Sequence, residues 1–248
     1  MFINPYYRSP YALSSAAVLL IDFTNPGSIL LSGSLITQAT NIGSGGGAMN
    51  ATAAGAQRPT YGTGANGVRF AAFDGIGNEL VTGATNLLRN VSGATIYVNR
   101  KWTALPTPSQ RPLIFINTGT SVTRAQLVGP ATGFNAVGGR TLNADSYIQL
   151  NGSIVPLTTT TWNVHTAVFD YANTDLYQFA ESVADGSNLS FQTATTTSNT
   201  ATNACAIASQ YGSTYANVAI AQVLVFNTAH NGGVRFSIEN WMRYNSPT

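Results

Sequence analysis

The chain has 248 residues, 44% of them hydrophobic and only 8% charged, with a formal net charge of +2. That length suits one all-β sandwich with a sizeable core, while the charged share lies far below the roughly 25% of ordinary soluble proteins. Scattered Arg, the single Lys101 and no basic pair beyond Arg100-Lys101 argue against a nucleic-acid surface, and a lone Cys205 excludes an intrachain disulfide or a Cys-based metal cluster.

Residues 1–17 carry aromatics, two prolines and Arg8 without a clear period, which predicts an extended arm. It is either a docking segment or a lead-in across the domain's own surface. Residues 18–248 are read as one domain. The run Ala16–Ile21 ends at Asp22 and lacks a basic region before it, so no signal peptide is expected. No apolar run reaches the roughly 20 residues of a membrane span.

Short apolar or alternating runs then recur between turn-forming clusters, the pattern of an antiparallel sandwich. Predicted strands are Ser28–Ile36, Val68–Asp74, Ala94–Trp102, Pro112–Asn117, Ala125–Val128 and Tyr147–Leu150, then His165–Asp170, Leu176–Phe179, Ala204–Ser209 and Val218–Phe226. Turns are expected at Gly43–Gly47, Gly138-Gly139 and Asn151-Gly152, and a polar loop over Thr193–Thr202. Expected inward positions are Val68, Phe70, Ile96, Val98, Ile114, Phe115, Val168 and Leu224, with Trp102, Trp162 and Trp241 assigned to the core. Near the end, Val234, Ile238 and Trp241 recur at helical spacing, predicting a short amphipathic helix over Val234–Tyr244.

Four segments, in order, carry a resemblance. They are Leu20-Ile21-Asp22-Phe23 with Ile29–Ser34; Gln57–Tyr61 with Asn66-Gly67, Val68-Arg69-Phe70 and Phe73-Asp74-Gly75; Ile220–Asn227; and Arg235–Tyr244. Together the chain resembles the concanavalin A-like superfamily, specifically the laminin-G-like domains of phage and bacterial surface proteins. The resemblance implies an all-β, concanavalin A-like antiparallel jelly-roll sandwich closed by a short C-terminal helix. Gln222 stands where a Glu is common in that family.

Catalysis finds no support. Glycosidases of this superfamily set two carboxylates on one strand face, and none of the nine acidic residues pair at i, i+2. His165 falls in a strand and His230 in a loop, with no nucleophile elbow to serve. No cofactor is required; Ca²⁺ is the candidate ion, since Asp74, Asn78 and Glu79 can share one loop and Asp170, Asn173 and Asp175 a second. The same residues also make ordinary Asp/Asn turns. For a glycan, the candidate residues are Tyr171, Tyr211 and Tyr215, whose rings would stack on sugar faces if exposed.

Low charge, Arg in place of Lys, the arm and the resemblance lead to the expectation of a non-catalytic phage structural protein on the virion surface. It would be a capsid decoration or tail/fibre component, contacting other virion proteins and forming a homo-oligomer, expected as a trimer. The alternative is a stand-alone carbohydrate-binding module for cell-surface glycans.

Overall fold

The computed structural model describes residues 15–83, 85–106, 111–117, 124–130, 132–142, 144–200, 202 and 204–248. Most of the arm expected over 1–17 therefore lies outside the described residues. The strands run β1 (Leu19–Asp22), β2 (Ile29–Ser32), β3 (Leu35–Ala39), β4 (Ala51–Thr52), β5 (Thr60–Thr63), β6 (Arg69–Asp74), β7 (Leu80–Thr82) and β8 (Ala94–Trp102). Then come β9 (Arg111–Asn117), β10 (Arg124–Gly129), β11 (Phe134–Arg140), β12 (Ile148–Pro156), β13 (Asn163–Asp170) and β14 (Asp175–Ala180). Last are β15 (Val183–Asn188), β16 (Ala204–Ile207), β17 (Asn217–Phe226) and the helix α1 (Gly232–Tyr244).

All described pairings are antiparallel. In the first layer β17 is the axis, with β8 on one side and β6 followed by β1 on the other. Beyond β8 lie β13, β14 and β15. The second layer runs β2-β3-β4-β7-β16-β9-β10-β11-β12. Strand β5 joins the layers by pairing with both β3 and β6. At the opposite edge Asp185 of β15 accepts from the N–H groups of Ser153, Ile154 and Val155 of β12, at 3.0, 2.7 and 3.3 Å.

Alternation decides what each side chain meets. Leu19, Ile21, Ile96, Val98, Val223 and Val225 point between the layers, whereas Leu20, Tyr97, Leu224 and Phe226 pack beneath Ile238, Trp241 and Met242 of α1. Strand β17 is thus covered on both faces, which is why its sequence is apolar almost without interruption. Leu224 and Val168, expected between the layers, are buried on the outer face instead, and Phe115 points away from its core neighbour Ile114 toward Tyr211 and Arg124. Val68 and Phe70 are only half-buried. Trp102 and Trp241 are buried; Trp162 is half-buried, 5.6 Å from the Phe70 ring.

Two expected turns lie inside strands. Gly138-Gly139 sits in β11 because the carbonyl of Arg124 and the hydroxyl of Tyr147 occupy the space a Cβ would need. Gly152 sits in β12 with the Asp185 carboxylate against its Cα. In both places glycine serves close approach rather than chain reversal. The expected Ser28–Ile36 strand is a hairpin that turns at Gly33, where φ is +64°.

Asn231 caps α1 by accepting from the N–H of Val234 at 3.1 Å, so the helix starts two residues before the expected Val234. Its inner face carries Glu239, with no exposed surface, which accepts from Thr166 Oγ1 (2.7 Å), Ser182 Oγ (2.5 Å) and Arg235 Nη1 (3.0 and 2.9 Å). These bonds tie α1 to β13 and to the two-residue β14–β15 turn.

Candidate functional site

Strand β14 alternates buried Leu176, Gln178 and Ala180 with half-buried Asp175, Tyr177 and Phe179. The outward set meets Val168 of β13, directly across from Tyr177, while Asp170 lies across from Asp175. The chain leaving β17 returns past this surface as Ala229–Gly232 and enters α1, whose Arg235 lies over the Phe179 ring at 3.6 Å. Together these pieces enclose an open groove of about 470 Å³, within the range of small-ligand sites.

The groove's floor is Val168, Tyr177 and Phe179. The Tyr177 hydroxyl donates to Asp175 Oδ2 at 2.8 Å, and that bond to a carboxylate holds the phenol above its usual pKa. His230 forms part of the wall. Its Nδ1 lies 2.7 Å from the Tyr97 hydroxyl and its backbone N–H donates to Thr95 Oγ1 at 2.9 Å, fixing the ring in place. Arg235 is held by both carboxylate oxygens of Glu239 and covers one face of Phe179, so Tyr177 is the groove's free stacking surface.

Of the residues singled out by sequence, Asp170 lines this groove. Its oxygens accept from the backbone N–H (3.3 Å) and side-chain amide (2.8 Å) of Asn173, a local turn, while Asp175 engages Tyr177. Tyr171, next in sequence to Asp170, is fully buried and stacked with Phe169, 5.9 Å between centroids. Its ring is therefore not on a surface a sugar can reach. At the other end of the sandwich, Asp74 Oδ1 accepts from Ile76, Gly77 and Asn78 N–H groups, which lower its pKa against a desolvation that raises it. Asn78 is buried and donates to the carbonyls of Ala56 and Arg58, both at 3.2 Å.

Glu79 is also buried. It accepts from Gln57 Nε2 (2.6 Å), Gly212 N (2.9 Å) and the Ser209 hydroxyl. It thereby anchors the loop that carries Tyr211, whose hydroxyl donates to the Ala204 carbonyl at 2.6 Å. Tyr215 shares a second depression, of about 320 Å³, with Asp74 and Arg111. Among the described residues no three His, Cys, Asp or Glu side chains gather where they could hold a metal ion. Sequence reading missed Tyr177, Phe179, His230, Asn231 and Arg235. The available signal was the period-two alternation of β14, which puts Tyr177 and Phe179 opposite the buried set.

No family model and no curated protein matches the chain. Solved structures do. Domain 4 of AbnA, an extracellular arabinanase from Geobacillus stearothermophilus, in complex with arabinotriose, is similar at 13% identity and a TM-score of 0.63, covering 91% of this chain and 99% of that one. The Trypanosoma rangeli sialidase matches at 12% identity and a TM-score of 0.59 over 93% of this chain, which spans 33% of that enzyme. The CBM40 module of the Ruminococcus gnavus IT-sialidase, bound to α2,3-sialyllactose, matches at 12% identity and a TM-score of 0.50, covering 60% of this chain and 83% of that one. At these identities the likeness concerns the fold. The chain is an all-β, antiparallel jelly-roll sandwich with a short C-terminal helix.

Proposed function

We propose that this chain is a non-catalytic glycan-binding domain and that the β13–β14–α1 groove is its site. The observation that carries the reading is the groove's composition: an apolar floor with one free tyrosine face, ringed by fixed polar groups at Asp170, His230 and Asn231. A sugar ring has an apolar C–H face and a hydroxyl edge, and this surface complements both. Fold neighbours solved with arabinotriose and with sialyllactose support a sugar ligand for a sandwich of this shape. The test is saturable oligosaccharide binding that Tyr177→Ala weakens at least tenfold, about 1.4 kcal/mol, without lowering the thermal midpoint. Full affinity in that variant would remove the groove from the account.

A second reading, a virion-surface subunit of a phage capsid or tail that assembles with itself and other virion proteins, rests on the low charge and scarce Lys. One structural observation favours it: the β2–β3 hairpin, with β2 at the end of the second layer, exposes three large apolar side chains, Leu30 (55%), Leu31 (45%) and Leu35 (36%). Such a surface suits burial against another subunit. Mass spectrometry of purified particles tests it; absence of the chain from every particle ends it. The two readings are compatible, since an exposed subunit can carry a sugar site.

A further inference from the structure

We infer that the groove selects uncharged glycans and discriminates against those bearing a carboxylate, such as uronic and sialic acids. The inference rests on the glycan-binding reading above and assigns its ligand class. Recognition of a sugar carboxylate calls for a free cation, best an arginine offering two parallel N–H donors. Among the described residues the one Arg or Lys lining this groove is Arg235, and its charge is already balanced by the buried Glu239. Its Nη1 donates to both oxygens of Glu239 at 3.0 and 2.9 Å, and its Cζ lies over the Phe179 ring, 3.6 Å from the centroid.

Two groups in the groove pull in opposite directions. The N-terminus of α1, at Gly232, offers a partial positive charge that favours an anion. Lining the same groove from β13 is the carboxylate of Asp170, and directly across the ladder from Asp170 is Asp175. Neither aspartate is in an ion pair; among the described residues the two such pairs are Arg235–Glu239 and Arg243–Glu181. Two carboxylates therefore stand against one partial charge, and an incoming carboxylate meets net repulsion. A neutral sugar can instead donate hydroxyls to Asp170 and lay its ring on Tyr177.

The experiment is titration calorimetry of the full chain. Its panel holds neutral pentose, hexose and N-acetylhexosamine trisaccharides, each set beside uronate- or sialic-acid-bearing counterparts. The expected result is binding of at least one neutral member, at least tenfold tighter than its acidic counterpart. Affinity for the neutral sugar should change little between 50 and 500 mM salt, about one screening regime to the next. Asp170→Asn, checked for folding by its thermal midpoint, should narrow the gap between neutral and acidic ligands. Asp175→Asn gives the same readout if the first variant fails to fold.

Preference for the acidic counterpart overturns the inference and leaves the glycan-binding reading standing. Preference for the neutral sugar with an unchanged gap in both variants also overturns it, because the selection then arises elsewhere. No binding to any member, neutral or acidic, overturns the glycan-binding reading itself, and the selectivity with it.

Discussion

His165 sits on β13 in the space between the layers with no exposed surface, and neither ring nitrogen finds a hydrogen-bond partner there. Burial first, then the positive charge of Arg100, drives its pKa well below the ordinary 6.5, against a smaller upward pull from Gln178. Arg100 is itself fully buried, and desolvation lowers its pKa to about 10. Its guanidinium donates to Asn163 (3.2 Å) and Asn135 (2.5 Å), while Gln178 donates to the Asn135 carbonyl (3.1 Å) and to Asp185 (3.2 Å). This polar chain crosses from one layer to the other.

The consequence is a stability that depends on pH. Below pH 6.5 the unfolded chain protonates its histidine while the folded one does not, so stability falls as the pH drops. Between pH 7 and 5.5 this one group should cost about 1 kcal/mol. Thermal midpoints of the wild type and His165→Leu over that range provide the check. The variant should show the shallower dependence, and equal slopes would mean that His165 accepts a proton in the folded state.

At the scale of elements, α1 and the β14–β15 turn hold each other. Glu181 and Ser182 both adopt positive φ, at 54° and 67°, in a tight turn that ordinarily selects Asn-Gly. Ser182 is kept there by its bond to Glu239 and by Arg243 Nη2 at 2.8 Å. Removing the buried Glu239 would leave Arg235, Thr166 and Ser182 without their acceptor. Glu239→Ala should therefore cost about 3–5 kcal/mol, read as a lowered urea midpoint. Arg243→Ala loses a 3.5 Å, partly exposed ion pair and should cost much less, about 1 kcal/mol. Equal losses would mean that α1 is not anchored through Glu239.

The same elements show what sequence could reveal. Ala94–Trp102 was readable to the residue because Ala94, Ile96, Val98 and Trp102 keep a period-two alternation after Gly93, and β17 because it is covered on both faces. The strands β4, β5 and β15 are short or polar and carry little periodic signal. Gly138, Gly139 and Gly152 read as turns because a sequence shows a glycine's freedom but not the partner atom pressed against it. Gln222 has a local reason as well. It lies in register with Asp22, whose carboxyl burial already pushes up, so a Glu there would set a second carboxylate beside it.

For the whole molecule, the jelly roll supplies a rigid platform, and its helix turns one outer face into a groove. Asp74 and Asp170 accept hydrogen bonds within their own turns, while Asp175 accepts from the Tyr177 hydroxyl. The groove was not legible because its parts come from β13–β14, the segment after β17 and the first turn of α1, which only the fold brings together. The most direct measurement is an oligosaccharide titration of three proteins side by side: the wild type, Tyr177→Ala and Tyr215→Ala. The account predicts saturable binding to the wild type, retained in Tyr215→Ala and weakened at least tenfold in Tyr177→Ala. Binding that survives Tyr177→Ala but falls with Tyr215→Ala would move the site to the Asp74–Arg111 depression and contradict the account.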